Sequence, residues 1–467
     1  MAPTVLLTLG RLPKALTLAR CLKAQGCRVV VAEPFNWHLS KPSNAIDACW
    51  ITPSPNLNPA IYRDRLRNIV EAESIDVVIP ISEESQYVLA LSTGDTNELG
   101  APVLGPSAEL YSQLQDKWLF VQRAKQRQVS VPYSALAEHS SGADFDGPTV
   151  SKPRRGCSGL GVTIHQQCPN PAGLPEGSLL QQYVSGASCC SLSLLENGVP
   201  IATALYRSKV NTGTVAVCFE SITTPDAVND WISAFCAGLD HTGFIAFDFI
   251  IDAEGVPWGI ECNPRLTSGI HFFNEEFLAR WVLDTAAVSQ TSLVKGYSKS
   301  YPTGCSKSYP TLSYNAPSLH EEALKPTGRR YQWGYSTLTE AWASLFQGKP
   351  RKALQHLNEL RSARDVVWSW RDPLPFLLMT PMSWPVLWPA ISGRMSMAEA
   401  SQRDIAPLFS QQPLVSEHHG LSNNHGLRDH QLVKGSHPGR ESHLAKESHL
   451  VNESPNAHDA PWEQQAT

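Results

Sequence analysis

Phe247-Asp248-Phe249-Ile250-Ile251-Asp252-Ala253-Glu254-Gly255-Val256-Pro257-Trp258-Gly259-Ile260-Glu261-Cys262-Asn263-Pro264-Arg265 is the stretch that decides how this chain is read. Residues 244–251 alternate as a strand, Gly255 closes a turn, and residues 258–262 return antiparallel. A hairpin brings Asp248 near Glu261. Side chains two apart on a strand share a face, so Glu261 and Asn263 point the same way. Two carboxylates and an amide oxygen are hard donors, suited to Mg²⁺ held partly by substrate phosphates. Arg265, just beyond, offers a planar fork of donors for phosphoryl or carboxylate oxygens. A hairpin with solvated acids at its ends is the plainer account, and a single acid would favour it. The ordered set moves the balance towards a site.

Upstream, Thr149-Val150-Ser151-Lys152-Pro153-Arg154-Arg155-Gly156-Cys157-Ser158-Gly159-Leu160-Gly161-Val162 reads as a strand that delivers a lysine to a Gly-rich loop. Glycines allow backbone N–H groups to approach phosphates closely, and Lys152 would add a point charge. No Gly-Lys-Ser/Thr closes the loop, so it is not a Walker A motif. A mobile basic loop is nearly as good an account of it. Between these segments, Ser178-Leu179-Leu180-Gln181-Gln182-Tyr183-Val184-Ser185-Gly186 is an apolar strand entering a short connector. Such a connector can offer backbone donors and acceptors to an adenine edge; taken alone it is a strand end.

In this order and spacing, the segments resemble the ATP-grasp superfamily over residues from about 100 to 290. The resemblance implies a lysine on a helix before the grasp, matched by Lys117 in Asp116-Lys117. It implies a second lysine and flexible lid at Lys152, Gly156, Ser158, Gly159 and Gly161, and an adenine hinge at Gln181, Gln182, Tyr183 and Val184. The metal set is matched by Asp248, Glu261 and Asn263, with Arg265 and Lys152 as the catalytic residues. The implied cofactors are ATP and Mg²⁺, or Mn²⁺ in its place. Family members usually carry a glutamate shortly after the hinge glycine, contacting the ribose. Here Gly186 is followed by Ala187-Ser188-Cys189, so that contact is missing or comes from elsewhere. The opening Gly10-Arg11-Leu12-Pro13-Lys14, the block 243–273 and Trp370-Arg371-Asp372-Pro373-Leu374-Pro375-Phe376 also look like the mycosporine-glycine synthetase group, which attaches glycine to 4-deoxygadusol.

Around the grasp, the first hundred residues alternate strand and helix, which implies right-handed β-α-β units on a parallel sheet. No G-x-G-x-x-G follows the first strand, so a dinucleotide site gains little support. The expected fold is therefore mixed α/β and α+β. Residues 1–107 form an N-terminal parallel-sheet domain and 108–290 a two-lobed ATP-grasp domain. Residues 291–317 are a linker carrying an eight-residue near-repeat, 318–394 a Trp-rich helical region, and 395–467 a disordered, His-containing tail. A helical stretch is expected over 108–126, and Ser268 and His271 are candidates to touch the acceptor, although a structural hydrogen bond explains His271 equally well.

Bulk properties set the bounds. At 467 residues two or three domains are expected. A net charge of −5 argues against a non-specific nucleic-acid binder. The 11 cysteines contain no C-x-x-C pair and fit reduced thiols in the cytoplasm. No signal peptide is expected, and the apolar stretch 374–392 is broken by four prolines, so no membrane span is expected. The function these features imply is an ADP-forming ligase that joins an amine such as glycine to a carboxylate- or enol-type small molecule through a phosphorylated intermediate. Two alternatives are a non-catalytic nucleotide binder that keeps the grasp fold and a carbamoyl-phosphate- or carboxylase-type enzyme. Oligomeric state is not legible.

Overall fold

Val5, Leu6 and Leu7 are fully buried in the first strand, β1 (Thr4–Leu7). Val5 and Leu7 pack into the cluster that contains helix α1 (Pro13–Ala24), while Leu6 faces the opposite cluster with helix α2 (Pro59–Glu73). Burial on both faces is what a parallel sheet requires. The computed structural model describes residues 3–92, 97–156, 159–213, 215–294, 322–393, 395 and 397–406. Strands β1, β2 (Arg28–Glu33), β3 (Ala48–Ile51) and β4 (Val77–Ile79) run parallel in the order β3-β2-β1-β4. The N-terminal parallel sheet is thus as expected.

A short helix α3 (Ser85–Leu89) leads to the segment expected as a helical stretch over 108–126. It is two helices, α4 (Ala108–Gln115) and α5 (Lys117–Gln126). Asp116 is extended between them, and its carboxylate accepts the N–H groups of Trp118 and Leu119. An N-cap of this kind satisfies donors that a continuous helix would have used internally, so the break stabilises itself.

Two sheets follow, antiparallel throughout except for the parallel pair at the end of the larger one. The smaller has the order β5-β8-β6-β7, from β5 (Ser134–Leu136), β6 (Thr149–Pro153), β7 (Thr163–His165) and β8 (Ser178–Gln182). The larger has the order β13-β12-β9-β10-β11-β14-β15. Its members are β9 (Ala187–Glu196), β10 (Val199–Thr212), β11 (Val215–Ile222), β12 (Gly243–Ile251), β13 (Pro257–Asn263), β14 (Arg330–Gln332) and β15 (Arg364–Asp365). Behind the β12–β13 hairpin, helix α6 (Asp226–Cys236) stacks Trp231 on Phe235 at 5.2 Å between ring centres, with Phe247 and Phe249 edge-on to Trp231. Burying each such ring stabilises by about 1.5–3 kcal/mol. Gly259 makes the packing possible, since a Cβ there would stand 2.3 Å from the Trp231 ring.

The boundaries differ from those expected. Helix α7 (Glu275–Val294) runs past residue 290, and residues 295–317 of the expected linker lie outside the described residues. The region 318–394 is not purely helical: β14 pairs antiparallel with β11, and Arg330 donates to Glu220 at 2.7 Å. Residues 397–406 are folded, with Ile405 fully buried and Asp404 held by Arg11. The folded body therefore extends beyond the expected boundary at 395. The rest of that expected tail lies outside the described residues. Among the described residues no helix is long and apolar enough to cross a membrane.

Candidate active site

Asp248 pairs directly with Glu261 across the β12–β13 hairpin. The next pair is Phe249 with Gly259, so Ile260 is an extra, bulged residue. A bulge re-aims its neighbours, and here the freed Ile260 carbonyl accepts Lys152 Nζ at 3.3 Å. Glu261, Asn263 and Arg265 form a chain: Asn263 Nδ2 donates to Glu261 at 3.4 Å, and Arg265 donates to Asn263 Oδ1 at 3.1 Å. The three expected metal donors are brought to one place, half-buried and open to solvent on one side.

Two lysines close over this set. Lys117 Nζ lies 3.1 Å from Glu261 Oε2, and Lys152 sits almost wholly buried with Nζ donating to Gln181 Oε1 at 2.8 Å. Burial pulls Lys152 down to about 8, with Lys117 adding to the effect and Glu261 and Asp248 opposing it. Burial also raises the Asp248 carboxyl, reinforced by the charge of Glu261. For Glu261 burial acts upwards too, but Lys117 and Lys152 outweigh it and hold the group low. Two carboxylates in contact share a proton unless a cation compensates them. A divalent ion meets that need, and an amide oxygen completes a hard donor set. Among the described residues there is no cluster of three His, Cys, Asp or Glu side chains able to hold a metal alone. The set therefore suits an ion that takes its remaining ligands from phosphates and water, as Mg²⁺ does.

The glycine loop is tethered at its base. Asp116 pairs with Arg154 at 2.7 Å and Arg155 at 3.4 Å, while Lys117 donates its backbone N–H to Arg154 O and its ammonium to Gly156 O at 2.9 Å. Gly159 and Gly161 have φ of 67° and 74°, left-handed conformations that glycine adopts without strain. Ser158 lies outside the described residues.

The expected hinge is partly occupied. Gln181 is buried, its side chain bridging Lys152 and Ser134, so it positions the lysine instead of facing a ligand. The N–H groups of Gln182 and Tyr183 are taken by Tyr133 O and Pro148 O. Among the described residues no partner is seen for the Val184 N–H. Gly186 lies so close to β12 that a Cβ would fall 2.3 Å from Ile251 O. Ser188 stands beyond it, exposed and opposite Ile250, on the same face as Asp248.

Sequence reasoning missed Glu83. Its carboxylate, nearly fully buried, accepts Arg265 at 2.6 Å and Gln115 Nε2 at 2.6 Å. Neighbouring Glu84 accepts the N–H groups of Ile81 and Ser82 and the hydroxyl of Thr8, which fixes the loop that presents Glu83. Acids just past the C-terminal end of a parallel strand were the available signal. Ser268 and His271 both border a cavity of about 300 Å³ that reaches Arg265 and Cys190. His271 Nδ1 contacts Thr17 Oγ1 at 3.1 Å, and burial, aided by Lys325 and Lys14, lowers its pKa to about 3.

Residues 114–269 match the family model described as ATP-grasp domain. No curated protein matches the sequence, so the finer likeness to the mycosporine-glycine synthetases gains no support there. Solved structures are similar to this chain at low identity. The biotin carboxylase domain of 2-oxoglutarate carboxylase from Hydrogenobacter thermophilus, with MgADP and bicarbonate, is 16% identical (TM-score 0.49, over 62% of this chain and 70% of that one). N5-carboxyaminoimidazole synthetase from Staphylococcus aureus is 12% identical (0.48, over 61% and 77%). L-amino acid ligase from Bacillus licheniformis is 14% identical (0.45, over 58% and 68%).

Proposed function

With an ATP-grasp domain at its centre, this chain is, we propose, an ADP-forming ligase that activates a small acid with ATP and joins it to an amine. The observation that carries this reading is the hairpin pair Asp248–Glu261, flanked by Lys117 and Lys152 and followed by Arg265. Phosphoryl transfer asks a protein for positioning and charge neutralisation more than for covalent help. Asp248, Glu261 and Asn263 would hold Mg²⁺, which would supply positive charge to offset that of the phosphates. Lys117 and Lys152 hold the remaining oxygens of the triphosphate. The Val184 N–H is available to the adenine edge, and the Gly156–Gly161 loop closes over the phosphates to exclude water.

An acid oxygen then attacks the γ-phosphorus, the bond to the ADP oxygen breaks, and an acyl phosphate forms. Arg265, held by Glu83, stabilises the charge that develops on it. The amine nitrogen attacks the acyl carbon, the C–O bond to phosphate breaks, and phosphate and a proton leave. An enolic acceptor would follow the same course, and glycine with 4-deoxygadusol is one pair to try. The test is ADP release by the purified protein, measured with acid alone, amine alone and both. A sharp rise only with both supports ligation, since water must be kept from the intermediate until the amine arrives. AMP and pyrophosphate as products would point to adenylation and end this reading.

A further inference from the structure

We propose that the acid this enzyme activates is a carboxylic acid with a ring-sized or branched apolar body; this rests on the ligase reading above and names its substrate class. The cavity of about 300 Å³ beside the hairpin carries the inference. One end is polar, formed by Arg265, Ser268 and Cys190, and Cys190 stands directly opposite Asp248 in the β9–β12 pair. An acid group seated there lies next to the phosphates held by the hairpin.

The remainder of the cavity is mostly apolar, with Thr212, Ser336, Ser383, Ser401 and Gln402 set among the apolar side chains. Phe35, Tyr206, Phe219 and Trp333 contribute aromatic side chains, and Val215 and Val217 of β11 add branched ones. Arg11 is neutralised by two carboxylates, Glu33 and Asp404, and Lys14 donates to Leu266 O at 2.7 Å, whereas Arg265 is paired with the single carboxylate of Glu83. His271 is neutral, because burial strongly disfavours its charged form. A polar end that recognises one anion and an apolar body of this size select a substrate built the same way. An acid without that body leaves most of the apolar wall facing water, and each missing methylene costs about tenfold in selection.

The C-terminal region closes the cavity. Met382, Ser383 and Val386 come from the helical run that includes Trp384–Ile391, and Ser401 and Gln402 come from the helix before Asp404. The salt bridge of Arg11 with Asp404 therefore pins this wall to the N-terminal domain. The size of the substrate is set by a segment far from the grasp motifs.

Calorimetric titration of the full chain, saturated with MgADP, with 3-phenylpropionate and with acetate tests this directly. Binding of 3-phenylpropionate about tenfold or more tighter than acetate is expected. Val386→Trp, which fills the apolar end, should remove that preference while leaving the affinity for MgADP unchanged. Equal or tighter binding of acetate in the wild type would overturn the inference, as would an unchanged preference in Val386→Trp. Selective binding of 3-phenylpropionate without ADP release from ATP and any amine would keep the cavity assignment and overturn the ligase reading.

Discussion

The Lys117 ammonium lies 3.1 Å from Glu261 Oε2 and donates to Gly156 O at 2.9 Å, so one side chain ties the Asp248–Glu261 hairpin to the base of the glycine loop. Phosphate entering this site would compete with both contacts. The break in the helix at Asp116 is what puts Lys117 there.

Glu261→Gln is expected to lower ADP formation by about 100-fold or more, the scale for losing a preorganised charge at a transition state. It removes the carboxylate that Lys117 and Lys152 stabilise. Steady-state rates across a Mg²⁺ titration are the measurement. Near-normal turnover at ordinary Mg²⁺ would remove Glu261 from the site.

Asp116→Ala is expected to free the loop. The carboxylate caps α5 and pairs with Arg154 and Arg155, and losing the cap alone costs about 1 kcal/mol. Limited proteolysis should cut residues 156–161 faster in the variant, and MgATP should protect the wild type more. Identical cleavage with and without MgATP would rule out a closing loop.

How legible these features were depended on how local their cause is. The hairpin showed itself because strand alternation and the turn at Gly255 lie within twenty residues, and the Asp248–Glu261 pairing follows from them. The break at Asp116 did not, since apolar residues keep helical spacing on both sides. Strand β14 is three residues, Arg330-Tyr331-Gln332, whose pairing is fixed by Glu220 on another strand. Asp404 lies 393 positions from Arg11, and nothing in either segment names the other.

The Arg11–Asp404 pair makes its own prediction. Both groups are almost fully buried, and breaking such a pair costs about 3–5 kcal/mol because a charge is left short of compensation. Glu33 still holds Arg11, so Asp404→Ala should fall near the lower end. A chain ending at Ser392 should be destabilised at least as much, whereas one ending at Gln411 should unfold at the wild-type urea midpoint. Equal midpoints for all three would show that the segment adds nothing.

Stability should fall with acid through two histidines. Burial lowers His241 to about 4 and His271 to about 3, against 6.5 when unfolded. Between those values the unfolded chain binds protons that the folded chain refuses. Their contribution is therefore present above about pH 6.5 and is lost as pH falls, by up to about 1.4 kcal/mol per pH unit for each. Urea unfolding at pH 7 and pH 5 measures it. His241→Gln should flatten the slope, and an unchanged slope would show that His241 titrates normally.

Arg265→Lys separates binding from chemistry. The guanidinium donates through Nη2 to Glu83 at 2.6 Å and Asn263 at 3.1 Å and through Nη1 to Leu266 O at 3.4 Å, a planar spread of donors that a lysine ammonium cannot reproduce. If its fork faces the charge that develops on the acyl phosphate, the loss falls on the transition state and spares the ground state. Then kcat should drop by about 10²–10³ while KM for MgATP stays within about twofold. Glu83→Gln keeps the fork but loosens it, so its kcat should fall less, and the pair Arg265→Lys with Glu83→Gln should be less than additive. A rise in KM for MgATP with kcat preserved would instead place Arg265 on the nucleotide. Full additivity of the two changes would show that Glu83 does not act through Arg265.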